Sequence, residues 1–177
     1  MPQLAVAVLG PDRPGVVAAL TEVLLADGGN LSDASMTLLR GQFAMTLVVD
    51  VASGADAVRD ELRPVAEQLD LLVSVRETSP DTDDLRPPSA PSLLRVHGAD
   101  RPGLLHRTTA LLASYDANIT DLATRTVGAA GAPVYVMIVS VDVPTSAPVD
   151  GLVQAVRELA AELQVEASLR PADADTL

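Results

Sequence analysis

The sequence predicts an α+β fold built from two copies of one β-α-β-β-α-β unit. Each copy is expected to be an antiparallel four-stranded sheet with both helices on one face. Three observations lead there. The chain matches itself at a fixed offset, its apolar period switches between strand-like and helix-like in the same order in each copy, and a stretch with no apolar period separates the copies.

The offset is 88 residues. "VLGPDRPGVVA" (8–18) returns as "VHGADRPGLLH" (96–106), so that Gly10 meets Gly98, Asp12 meets Asp100, Arg13 meets Arg101, Pro14 meets Pro102 and Gly15 meets Gly103. The register runs on through Leu24 and Leu112, Asn30 and Asn118, and Asp33 and Asp121. The second copy then carries a longer turn, "GAAGAP" (128–133), after which "MTLVVDV" (45–51) aligns with "MIVSVDV" (137–143). "LRPVAEQLDLLVSVR" (62–76) aligns with "VRELAAELQVEASLR" (156–170). A match through loop, helix and strand together marks a duplication. It gives a first unit over 1–77, a Pro- and Asp-rich linker over 78–91, a second unit over 92–171 and a tail over 172–177.

Each element follows from local pattern. Residues 3–9 are apolar and strand-like. The Gly-Pro-Asp-Arg-Pro-Gly turn comes next, and from Pro14 to about Ala26 the residues Val17, Leu20 and Leu24 recur at helical spacing. Asp12 or Arg13 stands where a cap is expected, Pro14 suits a first turn, and "DGG" suits a helix end. Residues 31–39 and 42–51 read as strands joined at "RGQ". A second helix carries Val58, Leu62, Val65 and Leu69 on one face, and 71–76 make the last strand. Pro64 lies inside that helix; interior proline costs about 3 kcal/mol, which predicts a kink or a late start. This element order is the ferredoxin-like split unit.

Composition narrows function. Apolar residues make up 48% of the chain but aromatics only 2%, so the core must be Val, Leu, Ile, Ala and Met. Few rings are left for stacking bases. The net charge is −12 and every basic residue is a scattered arginine, which disfavours direct binding to nucleic acid or an anionic membrane. With no cysteine there are no disulfides, thiolate nucleophiles or thiolate metal sites. "MPQLAVAVLG" lacks the basic flank of a secretory signal, and no apolar run spans a bilayer, so a cytoplasmic location is expected.

The repeated loop carries the chemistry. It leaves a strand and opens a helix, whose first N–H groups form an anion site able to hold a carboxylate. Gly15 and Gly103 let a ligand approach the backbone, and Asp12 and Asp100 offer an acceptor for an ammonium group. The chain's two asparagines, Asn30 and Asn118, occupy equivalent positions where strand two opens, and each supplies donors and an acceptor. Together these groups suit an α-amino acid. Gly, Pro, Asp and Asn are also ordinary turn residues, so turn-building remains an alternative.

An Asp-Arg-Pro-Gly loop after strand one, then Gly-x-Asn-φ-x-Asp entering strand two, on this element order, resembles the ACT domain family across both copies. The resemblance implies regulatory modules that bind amino acids, with the ligand held by the loop and the start of strand two at an interface between domains. The implied binding positions are Asp12, Arg13, Pro14, Gly15 and Asn30, and Asp100, Arg101, Pro102, Gly103 and Asn118. A chain of two ACT domains is similar to the glycine cleavage system transcriptional repressor group. That implies a non-enzymatic amino-acid sensor without cofactor or metal, forming a homo-oligomer and acting on a protein partner.

Other signals are weaker. Gly10-x4-Gly15 starts like a Walker A loop, but no Gly-Lys-Ser/Thr follows. His97 and His106 lack partners at metal-ligand spacing, and neither stands in a nucleophile triad; His97 is a strand-end residue that could line a pocket. "DTDD" (81–84) reads as linker solvation rather than a calcium loop or a phosphatase Asp-x-Asp motif. Two alternatives stay open: an acylphosphatase-like hydrolase using Arg13 and Asn30, and a ligand-free dimerisation module.

Overall fold

The computed structural model describes residues 1–78, 88–128 and 133–172. "DTDD", most of the "GAAGAP" turn and the end of the tail lie outside these. The chain forms two compact units, residues 1–84 and 85–177.

In the first unit the order is β1 (Gln3–Pro11), α1 (Val16–Ala26), β2 (Asn30–Leu39), β3 (Gln42–Asp50), α2 (Ala55–Leu69) and β4 (Leu72–Thr78). The sheet order is β2-β3-β1-β4, all antiparallel. Strand alternation does the sorting. Leu4, Val6 and Val8 of β1 and Phe43, Met45, Leu47 and Val49 of β3 point to one face and are buried. Val16, Leu20 and Leu24 of α1 and Val58, Leu62 and Ala66 of α2 cover that face. Arg40 and Gly41 both have positive φ (51° and 78°), the signature of a two-residue type I′ hairpin turn between β2 and β3.

The second unit repeats this with β5 (Ser89–Gly98), α3 (Leu104–Ala113), β6 (Asn118–Val127), β7 (Val134–Pro144), α4 (Val149–Leu163) and β8 (Val165–Pro171), in sheet order β6-β7-β5-β8. Leu94, Val96, Met137, Val139 and Val141 meet Leu104, Leu112, Leu152 and Val156 in its core. Both units are therefore the expected α+β ferredoxin-like folds.

Four local expectations are corrected. Helix α1 starts at Val16 rather than Pro14, because Pro14 and Gly15 form the turn before it. The cap is Gly15, not Asp12 or Arg13, and it makes no side-chain hydrogen bond. Helix α2 starts on time at Ala55 and runs through Pro64. Pro64 lies on the exposed side, where water can satisfy the carbonyl it leaves unpaired, while Val58, Leu62 and Ala66 hold the other side to the core. Strand β5 starts at Ser89, within the stretch read as linker: Ser89, Ala90 and Pro91 pair with Pro144, Val143 and Asp142. Serine and proline hid that strand start.

Candidate functional site

The repeated loop has the same geometry twice, and its two glycines are there for different reasons. Gly15 (φ 92°) and Gly103 (φ 86°) are the N-caps of α1 and α3 in the left-handed region. A Cβ built at either meets nothing within 4 Å, so the backbone angle alone demands glycine, and open space lies in front of it. Gly10, by contrast, is held by crowding. A Cβ there would lie 2.6 Å from Leu71 Cδ2 and 2.8 Å from the Asp70 carbonyl oxygen, where the turn after α2 crosses the end of β1.

What the loop leaves exposed is the start of a helix. Ala19 N–H donates to Gly15 O and Arg107 N–H to Gly103 O, each at 2.9 Å, opening the helical ladder. Neither helix has a side-chain cap or an acidic residue in its first turn. Both N-termini thus keep uncompensated N–H groups and positive dipole ends, the requirement for an anion. Asp12, Arg13, Pro14, Asp100, Arg101 and Pro102 are all exposed around them.

The two loops differ in how they are tied down. Asp12 N–H donates to Gly41 O (2.9 Å), joining the first loop to the β2–β3 hairpin. Arg101 Nη2 donates to Gln164 Oε1 (2.7 Å), joining the second to the turn after α4. Arg107 on α3 donates to Glu162 on α4 (2.5 Å); this hydrogen bond holds the Glu162 carboxyl below its ordinary range and raises the guanidinium. Arg13 has no side-chain hydrogen bond among the described residues.

Asn30 and Asn118 are not beside these loops within their own units. Asn30 pairs with Asp50, and Asp50 pairs with Gln3 at the start of β1. The Asp-Arg-Pro-Gly loop leaves the other end of that strand, and Gly10 is seven residue steps along β1 from Gln3, about 23 Å at strand rise. Asn118, opposite Asp142, is placed the same way. In each unit the loop and the asparagine therefore lie at opposite ends of the sheet. Arg13 and Asn30 of one unit cannot grip one phosphate together, which removes the geometry an acylphosphatase-like site would need.

His97 lies on the open face of its sheet with Nε2 3.1 Å from Glu166 Oε2, and His106 is exposed in the first turn of α3. Among the described residues no group of three or more His, Asp or Glu side chains is gathered to hold a metal ion, and no helix is long and apolar enough to cross a membrane.

Sequence reasoning missed the surroundings of the asparagines. Asp50 and Asp142 stand directly across from them, and a β-bulge interrupts β2 at Ser32 and β6 at Thr120. The signal was present in "NLSD" against "NITD" and in "VDV" at the end of both third strands.

Known proteins agree with this architecture. ACT domain family models match residues 3–76 and 92–161. The glycine cleavage system transcriptional repressor of Escherichia coli (strain K12) is 30% identical over 171 residues, 94% of this chain and 88% of that protein. The phosphoserine phosphatase SerB2 of Mycobacterium tuberculosis is 35% identical over 88 residues, 48% of this chain and only 21% of that enzyme. A crystal structure of an unknown protein from Galdieria sulphuraria superposes with a TM-score of 0.85 at 27% identity, over 97% of this chain and 99% of that one. By sequence and fold the chain belongs to the ACT domain family, carrying two ACT domains in tandem.

Proposed function

We propose that this protein is a non-enzymatic amino-acid sensor. A small amino acid binds where the Asp-Arg-Pro-Gly loop of one ACT unit meets the Asn30 or Asn118 end of another, and a protein partner reads the bound state. The likeness to a transcriptional repressor supports a partner in the control of amino-acid metabolism. The observation that carries the reading is the uncapped helix start behind a left-handed glycine, open to solvent and repeated in both copies.

The edge strands supply a way to join the half-sites. Every residue of β2 is exposed, and so is every residue of β6 except the half-buried Ile119. Antiparallel pairing of β2 with β2 of a second copy of this chain sets the start of one edge strand against the end of the other. That end is the hairpin to which the Asp12 loop is bonded. The arrangement brings Asn30 to a loop it cannot reach in its own unit, and it makes association part of ligand binding.

A calorimetric or thermal-shift screen of the full chain against the twenty proteinogenic amino acids tests this, since binding to the folded state raises apparent stability. One or a few amino acids are expected to stabilise the protein, with the effect lost in Asn30→Ala or Asn118→Ala. A flat response to all twenty would refute the sensor reading and favour a dimerisation module. Acyl-phosphate turnover abolished by Arg13→Ala would instead establish a hydrolase.

A further inference from the structure

Resting on that amino-acid reading, we propose that Asp50 and Asp142 are the ammonium acceptors of the site, each acting beside the asparagine across from it. The loop then holds only the ligand's carboxylate.

Register puts these groups together. Asn30 is the direct partner of Asp50, and Asn118 of Asp142. Direct partners in an antiparallel pair share a face, with Cβ atoms about 4.5–5.5 Å apart. The neighbours Val49 and Val141 point into the cores, so Asp50 and Asp142 lie on the open faces of their sheets. Asp50 and Asp142 are half-buried residues, and no salt bridge joins either to a cation among the described residues. An unneutralised carboxylate next to an amide oxygen offers the acceptors an ammonium group requires.

The bulge orients this end. An extra residue at Ser32 or Thr120 bends the edge strand just past the asparagine, a device that re-aims side chains. Ser32 Oγ donates to Asp50 Oδ2, and Gln3 Nε2 lies 3.5 Å from Oδ1. Each oxygen keeps a further lone pair for a ligand.

The set is kept while several other positions of the same face change between the copies. Along the same open face, Ala7 has become Arg95, Leu9 has become His97 and Leu72 has become Glu166. Even Gln3, which touches Asp50, has become Pro91. Asn, the bulged hydroxyl and Asp are kept in place, as are Asp33 and Asp121, Ser74 and Ser168, and Arg76 and Arg170 elsewhere on that face. Asp12 and Asp100 are worse placed for this role, because each flanks the helix start that takes the ligand's carboxylate.

The test is calorimetry on the full chain. The amino acid that binds most tightly among the twenty is compared with its des-amino analogue, which keeps the carboxylate and side chain but lacks the ammonium. Wild type should prefer the amino acid. The Asp50→Asn/Asp142→Asn double variant should lose about tenfold or more of that affinity while binding the analogue as wild type does, so that discrimination disappears. Asp50→Glu/Asp142→Glu should restore part of it and covers the case in which the amide variant does not fold. Equal loss for both ligands, or discrimination preserved, would overturn the assignment while leaving the sensor intact. Failure of wild type to bind any of the twenty would instead remove the sensor reading and this assignment with it.

Discussion

Gly10 and Gly15 belong to one short loop, yet substitution should expose two separate physical causes. Alanine at 15 meets no atoms but must hold φ near 92°, a left-handed conformation that costs an L-residue about 1–2 kcal/mol. Alanine at 10 sits against a carbonyl oxygen that cannot swing aside, with an expected cost of about 1–3 kcal/mol from overpacking. Urea denaturation of both variants checks this. If Gly15→Ala is as stable as wild type, the cap geometry is not required. The loop was legible in sequence as a helix start because turn residues announce themselves. Which glycine served angle and which served crowding was not legible, since crowding comes from Leu71, sixty-one residues away.

Helices and strands were legible wherever one face met the core, because period then reports burial. Val58 and Leu62 were placed correctly by spacing alone. Composition failed at Pro64 and Pro91, where tertiary packing overrides local preference. Pro64 makes a testable case. Replacing it with alanine restores one helical hydrogen bond and relieves the ring's clash, while the unfolded chain gains some freedom. Pro64→Ala should stabilise the first unit by about 2 kcal/mol, read as a raised urea midpoint with unchanged slope. An unchanged midpoint would mean that the helix already absorbs the proline without penalty.

The edge strand β2 is an element whose pattern points beyond its own unit. Leu31, Met36 and Leu38 pair with core-facing residues of β3 and so lie on the helix side of the sheet, yet Met36 and Leu38 remain 50% and 51% exposed. Apolar side chains left open along an unpaired edge mark an association surface. Met36→Lys with Leu38→Lys should change folding stability by only about 0.5 kcal/mol, the usual range for surface positions. It should also lower the mass seen by sedimentation velocity. If that mass stays at the wild-type value, β2 is not the pairing edge.

At the scale of the whole molecule, duplication made the fold readable and concealed the site. Two matched copies gave the element order and the candidate loop, but the sequence offered no measure of how far Asn30 lies from Asp12. Only strand register shows that they are at opposite ends, and so that any site using both needs a second unit. Charge gives the molecule-wide prediction. Twelve arginines stand against twenty-four acidic residues, and no lysine is present. Binding to duplex DNA at physiological salt relies on cations that displace condensed counterions, and affinity falls steeply as salt rises. A chain with net charge −12 and scattered arginines starts from repulsion, which supports the proposed action through a protein partner. Fluorescence anisotropy with labelled duplex DNA at about 150 mM salt should show no binding at micromolar protein, weaker than the 10⁻⁸–10⁻¹¹ M typical of specific DNA binders. Submicromolar binding that weakens with salt would show that the arginines gather into a basic surface in the assembled protein, and would overturn the partner-mediated mechanism.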